Sequence, residues 1–558
     1  MSKKSQKKND TPRQDKKSAQ AAVPETAAFV FLKDLYKRYG NIASLVILCA
    51  LCAMYIMCNN SVLFFEGGDN AIYLFLAKAL ASGKGYRDIY LAGAPVHTQY
   101  PPLFPLILSL IIRIHGTDMY LMKMVVSASS AATIALSYFL FRRRSFALPL
   151  ATVIWLACLF QFFTYTDLLL TEPVFMAFSV AALLSFDRWR EGEKWKDAAL
   201  MVFSCWAAEL TRTAGLPLAA AVGVAIFIHG GRSKKSAVKA LITMLLCLLP
   251  VFLWGVREAL TTTERYGYVS QLLAVDPYDP TEGIIGPIDL VKRFFENIHA
   301  YFIDTVTMLE ADKSIVTSKL YWAVSGLFWL LFFLGLIRRL RKDLSAIEIY
   351  TIFFLGMASI WPFIHHRYIL PVYGFILAYV LEGMTYLVEL LSKKSTALKR
   401  AAILIFSILY LAEISHNARR SVVYHIDEKD YFKKSKVKID DDIYVLCPWP
   451  MYTRILEASI WLKRNGEPDA IVMARKPSLT ALASGHIIQS CPLVVPDDPK
   501  QWLKEKGVRY ILVDEAYPDT NRFMNVLTNR GKDLRGLNKL FTENYTSVVE
   551  VTPELFSQ

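Results

Sequence analysis

The sequence predicts a polytopic α-helical membrane protein of about eleven transmembrane helices, followed by a C-terminal α/β soluble domain on the outer face. Three observations predict it. Apolar runs of roughly 18 residues or more recur, the length needed to cross a hydrocarbon core. Lys and Arg concentrate in the short loops between those runs, as topology signals do. From about residue 416 the pattern changes to mixed polar and apolar, with alternating helical and strand signals. The composition agrees, with 54% hydrophobic and only 20% charged residues, against about 25% charged in average soluble domains.

The net charge of +14 does not indicate a nucleic-acid partner. The excess sits in the tail Lys3, Lys4, Lys7, Lys8, Arg13, Lys16 and Lys17 and in the short loops, and no nucleic-acid motif accompanies it. The first residues are polar and Lys-rich, without the apolar core of a cleavable signal peptide. Cys49, Cys52, Cys58, Cys158, Cys205 and Cys247 lie in apolar segments as packing residues. Cys447 and Cys491 fall in the C-terminal part, where spacing alone leaves a disulfide open.

Residues 1–40 read as a basic cytoplasmic tail and an interfacial segment, residues 41–415 as the transmembrane domain, and residues 416–558 as the outer domain. The first span is Asn41–Leu63. The next apolar run, Pro102–Ile114, is 13 residues long, short for a span and suited to a re-entrant or surface helix. Charge decides the parity. If that run does not cross, the second span is Tyr120–Phe141, and the clusters beginning at Arg142, Arg188, Arg232, Arg338 and Lys393 all fall on the cytoplasmic side. If it crosses, all five face outward. The outer side then holds residues 64–118, the short loop Thr164–Glu172, and residues 261–318. That last loop carries nine acidic and four basic side chains, a net charge of −5. In the C-terminal part, Tyr452–Arg464 has helical periodicity, Ala470–Ala474 and Val508–Val513 read as strands, and Pro499–Lys506 reads as a helix.

Polar residues gather at the outer rim. Glu66-Gly67-Gly68-Asp69-Asn70 follows the first span, and its two glycines permit a tight turn. Asp69 then opens a helix through about Ala81, with Ile72, Leu76 and Leu80 on one face. Asp69 is an N-cap by the plain reading and a general base toward a hydroxyl acceptor by the functional one. A helix N-terminus keeps such a carboxylate ionised, so basicity near neutral pH requires burial or a neighbouring acid such as Glu66. His97-Thr98-Gln99-Tyr100-Pro101-Pro102 leads into the short apolar helix, and His97 by itself reads as a surface histidine. Glu172 precedes Pro173 at a helix start, so capping accounts for it. Asp167 has no such account, and is a candidate to bind a metal or to orient an acceptor with Asp69, although no tight ligand cluster is visible. Glu209 and Arg212 have the spacing of an intrahelical ion pair, with an anionic head group as the alternative partner for Arg212. His365-His366-Arg367-Tyr368 lies at an outer span boundary where aromatic anchors are common. Arg367 is on the side otherwise poor in Lys and Arg, which favours bidentate binding of a lipid phosphate.

Together these segments resemble the GT-C superfamily of membrane glycosyltransferases, in particular protein O-mannosyltransferases and the lipid A aminoarabinose transferase type. Asp69-Asn70-Ala71-Ile72-Tyr73, Tyr100-Pro101-Pro102-Leu103, Leu170-Thr171-Glu172-Pro173-Val174-Phe175 and Arg367-Tyr368-Ile369-Leu370-Pro371 carry the likeness, in order over residues 41–415. The resemblance implies a sugar donor on a polyprenyl phosphate, and a glycan, lipid or protein acceptor. Asp69 becomes the base, with Glu66 and Asp167 as further acids. Arg367 becomes the phosphate ligand, assisted by His366 or Arg212. Tyr73, His97, Tyr100 and Glu172 position acceptor or donor. Transfer in such enzymes usually inverts the anomeric centre. Many members have Asp-Glu where this chain has Asp69-Asn70, and the aminoarabinose transferase type has Lys where this chain has Tyr100. Some relatives need a divalent metal and others do not. The competing class is a multispan transporter or lipid-linked glycan flippase. Transporters keep polar residues near the midplane and often show repeated halves, whereas here the notable charges cluster at one face.

Overall fold

The computed structural model describes residues 27–65, 68–261, 268–277, 279–306, 319–435, 437–440, 443–447, 450–514, 518–543 and 545–557. Helices dominate up to residue 435. In chain order they are α1 (Ala27–Met57), α2 (Asp69–Ala81), α3 (Leu103–His115), α4 (Met119–Arg143), α5 (Pro149–Cys158), α6 (Phe160–Asp167), α7 (Glu172–Gly192), α8 (Trp195–Thr211), α9 (Leu216–His229) and α10 (Lys234–Thr261). There follow α11 (Tyr268–Leu273), α12 (Pro287–Val306), α13 (Lys319–Asp343), α14 (Ala346–Ile360), α15 (His366–Ile369), α16 (Tyr373–Ser392) and α17 (Thr396–Ser435). Residues 1–49 and 50–558 form two units. The first contributes the N-terminal part of α1, which becomes apolar enough to cross a membrane from Gly40.

Among the described residues five helices are long and apolar enough to cross a membrane, or six if the bent pair α5 and α6 is one span. The expected count of about eleven is not reached by length and composition, because apolar segments such as α3 and α14 are short and α5 meets α6 at a break of 58°. Thr164–Asp167, expected in an outer loop, is instead the last turn of α6. Short α3 agrees with its reading as a helix too short to span. On α10 most large apolar side chains, including Leu241, Ile242, Leu245, Phe252 and Leu253, point outward, as a helix against lipid tails does. In the interior α13 and α16 touch backbone to backbone. A Cβ at Gly335 would meet the Tyr379 carbonyl oxygen, and one at Gly383 the Leu331 carbonyl oxygen, the small-residue packing typical of membrane helices.

The basic loops converge on one end of the bundle. Arg143 Nε lies 3.0 Å from Asp187, Arg144 Nη1 lies 2.6 Å from Asp343, and Arg190 Nη1 lies 3.1 Å from Asp343. Asp187 and Arg190 sit near the C-terminus of α7, whereas Glu172 begins it. A rise of 1.5 Å per residue separates those ends by roughly 27 Å. Charged groups thus sit at both ends of the bundle, and the two sets are held apart by the length of α7.

The first span is shorter than expected. Helix α1 ends at Met57, and β1 (Val62–Phe64) is a strand instead of the last turn of that helix. Asn60 Oδ1 accepts the Val62 N–H and breaks the helical path. β1 pairs in parallel with β5 (Ile443–Leu446), which in turn pairs with β4 (Val437–Asp440). All three β1 residues are buried, so a hydropathy pattern cannot tell them from a helix end. Between these elements, the 261–318 loop contains α11, a hairpin of β2 (Ala274–Asp276) and β3 (Asp279–Ile284), and α12.

The C-terminal part begins later than residue 416, because α17 continues to Ser435. It contains α18 (Pro450–Asn465), β6 (Ile471–Ala474), α19 (Pro477–Ser484), β7 (Ile487–Ser490), α20 (Pro499–Glu505), β8 (Val508–Asp514), α21 (Pro518–Leu527), β9 (Leu537–Glu543) and β10 (Thr546–Val551). The five-stranded sheet has the order β7-β6-β8-β10-β9, and Met473, Leu503, Ile511 and Phe523 pack in its core. The elements expected at 452–464, 470–474, 499–506 and 508–513 are all present within two residues of their expected ends. Cys447 and Cys491 are both free and buried, so the open question of a disulfide is answered against one.

Candidate functional site

The site forms where α2, α3, α7, α8 and α15 begin or end near β1. Gly68 precedes α2 with φ 113°, in the left-handed region that side chains rarely adopt. A Cβ there would also stand 3.2 Å from Ser478 Oγ. The Gly68 backbone therefore makes the turn that releases Asp69 into the first position of α2. Gly68 is the capping residue and has no side chain to cap with, so the plain reading of Asp69 as N-cap is corrected. Its carboxylate does something else. Arg367 Nη2 lies 2.8 Å from Oδ2, and the Tyr100 hydroxyl donates to Oδ1 at 2.8 Å. The expected face of α2 is also shifted: Tyr73, Leu74, Leu76 and Ala77 are buried, while Ile72 and Leu80 are half-buried.

Arg367 is the hub. Its Nε bonds Glu172 Oε1, and Arg212 Nη1 approaches the same oxygen at 2.5 Å. Arg212 also donates to Thr171 Oγ1 at 3.1 Å, and the Tyr73 hydroxyl lies 3.4 Å from that Oγ1. Among the described residues no ion pair joins Arg212 to Glu209, so the expected intrahelical pair is corrected. Arg212 follows the end of α8 in extended backbone and turns toward Glu172 instead. Glu172 is fully buried, whereas the Asp69 side chain is 24% exposed. One acid is thus reachable by a solute and the other is not. A carboxylate offers about four acceptor positions, so Asp69 keeps room for an incoming hydroxyl beside Tyr100 and Arg367.

His97 is buried, not at the surface as expected. Its Nδ1 lies 2.9 Å from Asp88 Oδ1 and its Nε2 accepts the Tyr100 N–H at 2.8 Å. Arg257 donates to the His97 carbonyl at 2.8 Å and Trp254 to the Thr98 carbonyl at 3.0 Å. These bonds fix the loop that aims Tyr100 at Asp69. Burial and the nearby Asp69 carboxylate raise the Tyr100 phenol well above its usual range, which keeps its proton in place as the donor. His366 is beside the hub, not in it: its ring packs on His365 at 4.1 Å and on Tyr165 at 6.0 Å. Glu66 lies outside the described residues.

Asp167 belongs to a second, buried cluster. Lys123 Nζ lies 2.7 Å from its Oδ1 and donates to Asn60 Oδ1 at 2.6 Å and to the Val62 carbonyl at 3.0 Å. Asn60 Nδ2 donates back to Asp167 at 2.5 Å. In the sequence Lys123 is a single cation inside the apolar run that forms α4, and hydropathy does not mark it as a site residue. An ionisable residue in a span is a functional hypothesis by default, and that was the available signal. If the pair is coupled, a double-mutant cycle of Lys123→Met and Asp167→Asn returns an interaction of about 0.5–3 kcal/mol in thermal stability, the double variant being less destabilised than the sum of the singles. Additive effects would show the pair to be uncoupled.

Comparison with known proteins decides the fold. No family model matches the sequence, and no curated protein matches it. Solved structures do. ArnT from Cupriavidus metallidurans, bound to undecaprenyl phosphate, superposes with a TM-score of 0.56 at 12% identity, covering 93% of this chain and 99% of that one. The archaeal oligosaccharyltransferase AglB from Archaeoglobus fulgidus, in complex with an inhibitory peptide and a dolichol-phosphate, superposes with a TM-score of 0.53 at 12% identity, covering 93% of this chain and 75% of that one. The chain has the GT-C fold. The GT-C likeness extends through the C-terminal part, since the matched share leaves few residues out.

The donor set of the described residues does not fit a divalent metal. Among the described residues no three His, Cys, Asp or Glu side chains come together as a ligand group. Asp69 is tied to Arg367, and Asp167 shares its carboxylate with the Lys123 ammonium, leaving one open oxygen where an ion site needs several.

Proposed function

We propose that this chain is a glycosyltransferase that moves a sugar from a polyprenyl-phosphate donor to a hydroxyl acceptor at the outer membrane surface. One observation carries the reading: a single guanidinium, Arg367, is held between a partly exposed carboxylate, Asp69, and a buried one, Glu172. An incoming lipid phosphate competes with Asp69 for Arg367, because a guanidinium fork pairs with phosphate in bidentate fashion. Arg212 stands one carboxylate oxygen away to share the charge. Asp69 is then free to take the acceptor's hydroxyl proton. The acceptor oxygen bonds to the anomeric carbon, the bond from that carbon to the phosphate oxygen breaks, and the electron pair leaves with the phosphate toward Arg367 and Arg212. Glu172 holds the two guanidiniums side by side. The likeness to ArnT and AglB, solved with undecaprenyl phosphate and dolichol-phosphate, agrees with the donor class.

The direct test is purified protein in detergent with a panel of polyprenyl-phosphate sugars and glycan, lipid and peptide acceptors. Sugar transfer supports the reading. Movement of the lipid across reconstituted vesicles without transfer replaces it with a flippase. The proposed location is the plasma (inner) membrane, with a cytoplasmic N-terminus. The basic loops then face inward, and the Asp69 end with the C-terminal domain faces outward. Reporter fusions after residue 144 and after residue 558 should land on opposite sides. If both report one side, the orientation is wrong.

A further inference from the structure

We infer that Lys476, from the C-terminal α/β part, is a further phosphate ligand of the same site, giving it the net positive charge that a lipid phosphate requires. The inference rests on the donor class proposed above. Its starting point is charge. Among the described residues, the hub consists of Asp69, Glu172, Arg212 and Arg367, whose formal charges cancel. A phosphate diester brings one negative charge, and the monoester left after transfer brings close to two. A neutral hub attracts neither strongly, so a further cation must come from another element.

The C-terminal part supplies one. The Ser478 hydroxyl donates to the Gly68 carbonyl at 3.3 Å, one residue from Asp69. The contact brings the start of α19, which Lys476 immediately precedes, against the start of α2. Tyr452 of α18 braces the junction, its ring 5.2 Å from that of Phe65 and 5.5 Å from the Lys476 ammonium. β1 fixes the same junction by pairing with β5, and Leu91 bridges to Ile488. Lys476 is half-buried and within electrostatic reach of Asp69.

The surroundings also tune it. Burial and the neighbouring Arg475 push the Lys476 ammonium down to about 8, and Asp69 works in the opposite direction. Among the described residues, the groups around it include Arg475 with its partner Asp519, Cys491 beside that pair, Asp69 across the junction, and the Tyr452 ring. A phosphate monoester completes its second ionisation near pH 6. Above about pH 7 the lysine is therefore the group that changes charge between the partners. The protonated form binds, so affinity is full below about 8 and falls as pH rises through it.

The test is binding of undecaprenyl phosphate to the full-length chain in detergent, across about pH 7 to 9.5, for the parent, Lys476→Ala and Lys476→Arg. A charge-assisted contact predicts roughly tenfold or greater loss of affinity in Lys476→Ala at about pH 7. The parent should weaken with rising pH, and Lys476→Arg, which keeps its charge, should stay flat at parental affinity. If Lys476→Ala binds like the parent, or weakens equally at every pH while the parent profile is flat, the lysine only braces Tyr452 and the inference is overturned. If the parent itself does not bind undecaprenyl phosphate, the donor reading fails and the inference falls with it.

Discussion

Asp69→Asn lowers the rate of transfer by roughly 10²–10⁴, the usual contribution of a positioned general base. The substitution keeps size and shape. The amide oxygen still accepts from Tyr100, and Arg367 still has Glu172, so the fold should hold. What disappears is the proton acceptor, which is needed only as the acceptor oxygen attacks. The loss should therefore appear in kcat more than in the donor KM. Donor binding should be unchanged or stronger, because Arg367 no longer has Asp69 as a competing partner. Steady-state kinetics with an active donor and acceptor, beside a thermal melt in detergent, separates these effects. Parental kcat in the Asn variant would remove Asp69 from the base role.

Glu172→Gln is expected to be the most destabilising substitution in the site. Its fully buried carboxylate faces both Arg212 and Arg367. Removing one partner of a buried ion pair costs about 3–5 kcal/mol, since the remaining charge has been taken from water without compensation. Here two guanidiniums would be left facing each other. The double variant Glu172→Gln with Arg212→Met removes one of those cations and should recover part of the loss. Melting midpoints in detergent, with yield after purification, give the comparison. An unchanged midpoint in Glu172→Gln would mean that the pair adds nothing to the fold and that the two arginines are held by other contacts.

Much of the fold was legible in the chain. The start of α2 at Asp69, the short α3 after two prolines, and the helices and strands of the C-terminal part all follow from local patterns of proline, glycine and side-chain period. The errors also have local causes. β1 looked like the end of a span because a buried strand and a buried helix end are equally apolar. The last turn of α6 reads like a loop because its polar residues, Thr164, Thr166 and Asp167, interrupt the apolar run although the helix continues through them. Helix α17 runs past His416 because a change of polarity need not end a helix.

The sequence by itself determined the membrane character of the chain and the clustering of basic loops at one end of the bundle. It also picked out Asp69, Glu172, Arg212 and Arg367 as candidates. Length, hydropathy and charge are sums over neighbouring residues, so they can be read along the chain. Only the tertiary structure decided who pairs with whom. Arg367 reaches Glu172 across 195 positions of sequence, Asp167 is claimed by Lys123, and Ser478, from the sheet-bearing C-terminal part, meets Gly68 beside Asp69. Partner choice between ions is set by which helix ends pack together and exclude water. A one-dimensional charge pattern shows that a carboxylate and a guanidinium are available, and packing in three dimensions makes them one site.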